Sequence, residues 1–127
     1  MENRIKVAVD AMGGDYAPLE AVKGAVAAVQ EKENVEVLLV GQKEVLEKEL
    51  AACTYPKDRI QILPASEVIE TGDPPVAAIR GKKDSSIVVG MKLVRKEEAD
   101  AFVSAGSSGA ILVGGTTRVW RERHWRL

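Results

Sequence analysis

Short apolar runs alternate along this chain with longer segments in which apolar residues recur at helical spacing. The first run, from Ile5 to Asp10, is rich in β-branched residues and bounded by polar ones, which is typical of a buried strand. Comparable runs follow at 35–40, 60–63 and 101–104. The hydrophobic pattern therefore predicts four strands.

Three helices are predicted between these strands, because apolar residues recur there every three or four positions. The first begins at Leu19, the second covers 42–52, and the third follows a capping residue at Asp84, Ser85 or Ser86. Their apolar stripes are Leu19, Val22, Val26 and Val29; Val45, Leu46 and Leu50; and Ile87, Met91 and Val94.

Strands that alternate with helices over short connections predict a three-layer αβα fold around a parallel sheet. The segment 65–84 has the weakest periodicity, and its Gly, Pro and clustered cations predict a functional loop with a helical turn near 76–79. We place one domain over residues 1–117, because no composition shift precedes residue 117.

Composition agrees with a folded globular domain, and we expect neither a metal nor a cofactor. The chain has 127 residues, of which 46% are hydrophobic and 29% charged, and only 4% are aromatic, so the core must be aliphatic. The single cysteine, Cys53, excludes an internal disulfide and is expected to pack as a small core residue. No apolar run is long enough to span a bilayer, and the first twenty residues lack a signal-peptide pattern, so we expect a cytoplasmic protein.

The last ten residues differ in composition from the rest of the chain. Residues 1–117 carry 14 basic and 18 acidic side chains, whereas residues 118–127 carry four Arg and one Glu. Both tryptophans and the only histidine, His124, also lie in the last ten. No Ser or Asp arrangement accompanies His124, which makes it a poor catalytic candidate.

Two polar loops follow predicted strands, at the sheet edge where parallel folds bind ligands. One is Asp10–Asp15, in which Gly13 and Gly14 allow positive φ or a close approach to a ligand. Asp10 and Asp15 can orient a donor, accept a proton or hold a metal, or they can simply cap the turn and the next helix. The residues alone leave both interpretations open.

The second loop contains the sequence Gly106-Ser-Ser-Gly109. Its backbone N–H groups, its two hydroxyls and the following helix end are typical of a phosphate-binding turn. An ordinary strand-to-helix turn with serine caps is the alternative. The loop has neither the Gly-Lys-Ser/Thr triplet of a Walker motif nor the glycine spacing of a dinucleotide fold, which disfavours a nicotinamide-dependent oxidoreductase.

Arg80, Lys82 and Lys83 form a cationic cluster in the loop segment. Three cations in four positions can meet a phosphate or an acidic partner protein, and the alternative is a solvated loop.

Three long segments together resemble the bacterial phosphate acyltransferases of phospholipid synthesis, the PlsX family. They are Val7-Ala-Val-Asp-Ala-Met-Gly-Gly-Asp-Tyr-Ala-Pro18, Pro75-Val-Ala-Ala-Ile-Arg-Gly-Lys-Lys-Asp-Ser-Ser-Ile87 and Ala99-Asp-Ala-Phe-Val-Ser-Ala-Gly-Ser-Ser-Gly-Ala110. They occur in the family's order and at about its spacing. The resemblance covers residues 5–117.

The resemblance implies transfer of a fatty acyl group from acyl carrier protein to inorganic phosphate, which gives acyl phosphate. It also implies a homodimer with the αβα fold of isocitrate dehydrogenases and phosphotransacetylases. Acyl carrier protein is acidic, so the cationic cluster becomes a candidate for binding it. We assign catalytic roles to Asp10, Asp15 and Ser108; phosphate binding to Gly106, Ser107, Ser108 and Gly109; and substrate or carrier binding to Gly13, Gly14, Arg80, Lys82 and Lys83.

The chain departs from the family pattern at two places. Ser107-Ser108 stands where the family usually has Asn-Thr, so an amide is lost. Residues 118–127 match nothing expected, whereas family members continue well beyond this point. We hypothesise that these ten residues are translated out of frame, that the product is truncated and impaired, and that it self-associates through uncovered surface. A cationic segment that associates peripherally with membranes is the alternative for the tail, and we expect no nucleic-acid partner.

A second function remains open from the sequence. A small α/β module that binds an anion or a partner protein without chemistry would use the same loops. Acyl phosphate formation is the property that distinguishes the two.

Overall fold

A computed structural model describes residues 4–115 as a parallel sheet of four strands covered by helices. The strands are β1 (Ile5–Asp10), β2 (Val35–Gly41), β3 (Ile60–Pro64) and β4 (Ala101–Val103). The helices are α1 (Leu19–Glu31), α2 (Lys43–Ala51), α3 (Pro75–Gly81), α4 (Ser86–Arg95) and α5 (Ser108–Gly114), and a 3-10 turn covers Lys57–Arg59. The boundary predicted at residue 117 and the segment 118–127 lie outside the described residues.

The strand order β3-β2-β1-β4 places β1 in the interior of the sheet. β1 pairs with β2 along its whole length, from Ile5 opposite Val35 to Asp10 opposite Val40. On its other side β1 pairs with β4, so that Val9 lies opposite Val103. This register brings the carboxyl ends of β1 and β4 together, and with them the two polar loops.

Apolar residues on the two faces of the sheet form the two sides of the core. On one face, α1 and α2 pack through Val22, Val29 and Leu46 against Val37 and Leu39 of β2. On the other face, Leu93 of α4 packs with Ala8, Leu38 and Val40. A third cluster joins α3, α4 and α5 through Ile79, Val88, Met91 and Ala110. The predicted three-layer αβα architecture is thus confirmed.

The predicted elements are found with small differences. Of the proposed caps for α4, Ser85 is the one that accepts the Val88 N–H, at 3.2 Å. The helical turn expected near 76–79 is a helix of 7 residues, α3. β3 ends at Pro64, one residue beyond the predicted run, because an edge strand tolerates a residue without an N–H group.

Two positions of the predicted apolar stripes are wrong. Leu19 is 44% exposed and Val45 is 36% exposed, whereas Val22 and Leu46 are buried. Both exposed residues lie in the first turn of their helices. Cys53 is half-buried and packs against the α1–α2 side of the core, as expected. Among residues 4–115, no helix is long and apolar enough to cross a membrane.

Candidate functional site

The Asp10 carboxylate connects three separate parts of the chain at the carboxyl end of β1. It is only 3% exposed. Its Oδ1 atom accepts hydrogen bonds from the Ser86 hydroxyl at 2.6 Å and from the Met12 N–H at 3.0 Å. Its Oδ2 atom accepts from the Ser104 hydroxyl at 2.7 Å. One buried side chain therefore fixes the glycine turn after β1, the start of α4 and the end of β4.

The glycine turn after β1 lies in direct contact with the turn after β4. A Cβ atom at Gly13 would lie 2.6 Å from Asp10 Oδ2 and 2.8 Å from the Gly106 nitrogen, so only glycine fits there. Gly14 has a φ of 95°, a backbone conformation that side chains disfavour. Both glycines are thus required by the geometry, the first by space and the second by conformation.

Two cavities lie on either side of this pair of turns. One has a volume of about 300 Å³ and contains Val9, Ala21 and Val103 in its wall. The other, of about 360 Å³, is bounded instead by Met12 and the segment Val68–Thr71. Residues common to both walls are Gly13, Gly14, Asp15, Tyr16 and Ala105. Asp15, which is exposed, therefore borders both spaces.

The Gly-Ser-Ser-Gly turn uses several of its donors and acceptors internally. The Gly106 N–H donates to the Ser104 hydroxyl at 3.0 Å, and the Ser107 hydroxyl accepts the Ala110 N–H at 3.2 Å. Ser107 is buried as the cap of α5, whereas Ser108 is exposed. Since the first N–H groups of a helix have no partner inside it, those of Ser108 and Gly109 are the ones that an anion can reach.

The segment between β3 and α4 is fastened by an ion pair. The Lys82 ammonium group donates to Asp73 Oδ2 and to the Val68 carbonyl, both at 2.8 Å. The hydrogen bond with Asp73 raises the pKa of Lys82 above its ordinary value and lowers the pKa of Asp73 below its own. Lys82 thus joins Val68, at one end of the cavity-lining segment Val68–Thr71, to Asp73 in the same connection between β3 and α4.

A second set of contacts closes the base of this segment. The Ser66 hydroxyl and N–H both donate to Asp84 Oδ2, at 2.6 and 2.9 Å. Of these the hydroxyl has the larger effect, and together they lower the pKa of Asp84. The Glu67 N–H donates to the Asp84 carbonyl at 3.0 Å, and the Ser86 N–H to the Glu67 carbonyl at 3.2 Å. The start of α4 is therefore joined to the end of β3 as well as to Asp10.

The structure brings some of the predicted site residues together and leaves others apart. Asp10, Gly13 and Gly106 are in contact, and Gly14 and Asp15 border the same cavities. Ser107, Ser108 and Gly109 follow directly on Gly106 but line neither cavity. Arg80 and Lys83 are exposed and also line neither of them.

Sequence reasoning missed two residues of this arrangement, Ser86 and Ser104. The sequence predicts Ser86 only as a helix cap, and Ser104 only as the strand end that opens the polar loop 104–109. Their partner, Asp10, lies 76 and 94 positions away in the chain. Within residues 4–115, no group of three or more His, Cys, Asp or Glu side chains is placed to hold a metal ion.

Comparison with known proteins identifies relatives of this chain. The sequence pattern of the family described as "Fatty acid synthesis protein" matches residues 5–124. A phosphate acyltransferase of Alkaliphilus oremlandii is 50% identical over 111 residues, which is 87% of this chain and 33% of the relative. One from Syntrophomonas wolfei is 52% identical over 106 residues, 84% of this chain and 33% of the relative.

A further phosphate acyltransferase, from Clostridium tetani, is 46% identical over 117 residues, 92% of this chain and 35% of the relative. The chain therefore spans about a third of the length of the curated relatives that it matches.

Proposed function

We propose, from the premise that this chain belongs to the fatty acid synthesis protein family, that it supplies the phosphate-binding part of an acyltransferase. The reaction is transfer of a fatty acyl group from acyl carrier protein to inorganic phosphate, in phospholipid synthesis. The names of the relatives support the acyltransferase class and phosphate as its acceptor. The carrier as donor rests on the resemblance of the three sequence segments.

The proposed chemistry needs no protein nucleophile. A phosphate oxygen attacks the carbonyl carbon of the carrier thioester, a C–O bond forms, and the C–S bond breaks. The carrier thiolate leaves and takes up a proton, so that acyl phosphate and free carrier are the products. The protein's contribution is to orient the phosphate and to stabilise the charge on the carbonyl oxygen.

We place the phosphate at the turn Ser107–Gly109. The reachable donors there are the N–H groups of Ser108 and Gly109 and the exposed Ser108 hydroxyl. The Gly106 N–H and the Ser107 hydroxyl are bonded inside the turn, so we assign these two residues the role of holding its shape. Asp15 is exposed and borders both neighbouring cavities, whereas Asp10 lines only the smaller one and is 3% exposed under three hydrogen bonds, so we assign contact with a reactant to Asp15.

For the carrier protein, we propose that Arg80 and Lys83 provide the cationic contact. Both side chains are exposed, as attraction of an acidic partner requires. Lys82 is a weaker candidate, since its ammonium group already pairs with Asp73. Homodimer formation and a cytoplasmic location belong to the same proposal through the resemblance.

The observation that carries the proposal is the contact between the two glycine turns around buried Asp10. It places a turn rich in N–H donors at the edge of a parallel sheet where such folds bind their ligands. This arrangement offers a small tetrahedral anion the first N–H groups of α5, which supports the proposed phosphate site.

Titration of the ¹⁵N-labelled chain with inorganic phosphate tests the proposal by NMR. We expect the amide signals of 107–109 to shift with saturation, and Ser108→Ala to weaken the binding about three- to tenfold through the loss of one hydrogen bond. Ser66→Ala is the matched control, because it removes a serine hydroxyl that bonds to Asp84, outside the turn. Signals of 104–109 that stay fixed at saturating phosphate would contradict the proposal.

A second assay separates catalysis from binding alone. The chain is mixed with acylated carrier protein and phosphate, and acyl phosphate is trapped as the hydroxamate. Acyl phosphate that depends on Ser108 supports the acyltransferase. Phosphate binding without any acyl phosphate would instead favour the non-catalytic anion-binding module.

A further inference from the structure

We propose that Ser86 is a positioning residue for the phosphate-binding turn and acts on it through Asp10 and Ser104. This inference rests on the proposed function, because the turn that Ser86 would position is the proposed phosphate site. Ser86 itself is 1% exposed, so we assign it no direct contact with a reactant.

The path from Ser86 to the turn is a continuous chain of hydrogen bonds. The Ser86 hydroxyl donates to Asp10 Oδ1 at 2.6 Å, and the Ser104 hydroxyl donates to Asp10 Oδ2 at 2.7 Å. Ser104 in turn accepts the Gly106 N–H at 3.0 Å. Each of the three sequence segments that carry the resemblance contributes one side chain to this path.

Because Asp10 is charged, this chain of hydrogen bonds is sensitive to the loss of any one of its side chains. Its three hydrogen-bond partners are two hydroxyls and an N–H group, which are all neutral. A buried carboxylate depends on such donors, because it has lost its hydration. Without the Ser86 hydroxyl, Oδ1 keeps only the Met12 N–H. The carboxylate then gains by turning toward water, which releases Ser104 and with it the Gly106 N–H.

The close contact between the glycine turns transmits the same effect sterically. The space at Gly13 is bounded by Asp10 Oδ2 and the Gly106 nitrogen. A rotation of the Asp10 carboxylate therefore also changes the close packing of Gly13 against Gly106, where the two turns meet. Ser86 links this centre to the β3 end as well, since its N–H donates to the Glu67 carbonyl.

Ser86→Ala tests the inference, with Ser85→Ala as the matched control. Both serines are buried at the start of α4, but the Ser85 hydroxyl caps the helix by accepting the Val88 N–H, whereas the Ser86 hydroxyl bonds to Asp10. We expect Ser86→Ala to weaken binding of inorganic phosphate about tenfold and to speed amide exchange of Gly106 by a similar factor. Ser85→Ala lowers the unfolding midpoint and leaves the phosphate affinity within about twofold.

Asp10→Asn supplies a second variant that keeps the shape of the side chain. Its amide nitrogen cannot accept the proton of a hydroxyl, so one of the two serine bonds to this side chain loses its present donor–acceptor direction. Ser86 and Asp10 act through one path, so their effects should not multiply. We expect the double variant to bind phosphate no more than about twofold worse than whichever single variant has the lower phosphate affinity. Multiplied effects of the two substitutions would overturn the inference.

The outcomes also separate this inference from the proposed function. If wild-type protein shows no phosphate-dependent shifts, the proposed site is wrong, and the exchange rate of Gly106 still reports whether Ser86 controls the turn. If phosphate binds and Ser86→Ala changes neither its affinity nor the Gly106 exchange beyond the change seen with Ser85→Ala, the positioning role is wrong.

Discussion

A carboxylate in the interior of a protein is strongly unfavourable unless its oxygens are hydrogen-bonded. Asp10 satisfies this requirement with donors from three distant segments, so its burial is also what holds those segments together. The residue is better placed to organise the site than to exchange protons with a substrate. Asp15, at the opposite end of the same loop, has the exposure that Asp10 lacks.

Gly13→Ala should destabilise the protein at the residue scale. The added Cβ would lie 2.6 Å from Asp10 Oδ2 and 2.8 Å from the Gly106 nitrogen, so one of the two turns must move. We expect the free energy of unfolding to fall by about 2 kcal/mol, as for other overpacked sites. Urea denaturation followed by circular dichroism measures the change.

Gly24→Ala is the control for that substitution. Gly24 lies inside α1, and nothing lies within 4 Å of the position of its added Cβ. The same chemical change should there raise stability by about 0.5–1 kcal/mol, because alanine favours a helix over glycine. Equal changes in the free energy of unfolding at the two positions would show that the close contacts at Gly13 do not determine the effect of the substitution.

At the scale of elements, the segment between β3 and α4, which includes α3, is held in place by two groups of polar contacts. The Asp73–Lys82 ion pair fastens its middle, and the contacts of Ser66 and Glu67 with Asp84 close its base. Val68–Thr71 is thereby kept against the glycine turn as a cavity wall. The three cations that the sequence predicts as one cluster therefore have different surroundings. Lys82 forms an ion pair with Asp73, whereas Arg80 and Lys83 are exposed.

Lys82→Met should raise the pKa of Asp73 toward its ordinary value, because the hydrogen bond from Lys82 is the main cause of its lowering. Because the Asp73 pKa is lowered in the folded state, the Asp73–Lys82 ion pair contributes its full stabilisation above about pH 4. That stabilisation is lost as the pH falls through the folded-state pKa of Asp73. NMR titration of the Asp73 carboxyl carbon measures this directly. Lys83→Met, which removes an exposed neighbouring cation, should leave the titration of Asp73 unchanged. Identical titrations in the two variants would contradict the assignment of the Asp73–Lys82 ion pair.

Much of the fold could be predicted from sequence because its signals are local. The β-branched runs and the apolar spacing identify strands and helices without knowledge of their partners, and the parallel topology follows from their alternation. Strand ends with Gly-rich loops also indicated which edge carries the site. The short helices α3 and α5 were less visible, since each has 7 residues and a stripe of that length is hard to recognise.

The internal bonding of the site could not be predicted in the same way. Ser86 meets Asp10 only because α4 crosses the sheet beside β1, and no spacing along the chain encodes that contact. Likewise, nothing in the run Arg80–Lys83 distinguishes the one lysine that pairs with Asp73. Such choices depend on distances in space between residues far apart in sequence.

At the scale of the whole molecule, β4 forms one edge of the described sheet and leaves apolar side chains exposed. Val103 on this strand is 55% exposed, and Leu112 on α5 is 68% exposed. An edge strand with apolar side chains and free backbone groups invites pairing with another chain. The relatives, of which the matched part of this chain is about a third, have further sequence that can cover such a surface.

We therefore expect this chain to self-associate, and Val103→Lys to reduce the association, because a charged edge residue disfavours strand pairing. Light scattering over a concentration series measures both. Val76→Lys is the control, since Val76 is 50% exposed on α3 and away from the edge strand. A monodisperse wild-type monomer would contradict this prediction.

The interior position of β1 has a consequence for the order in which a nascent chain acquires structure. β1 is synthesised first, yet one of its two partners, β4, begins only at Ala101, long after β2 ends at Gly41. At roughly 5–20 residues per second, a ribosome needs about 3–12 s to make the stretch between them. During that interval Asp10 exists without Ser104, and for most of it without Ser86. The hydrogen bonds around Asp10 are thus completed only once Ser104 has been made, 94 positions after Asp10 itself.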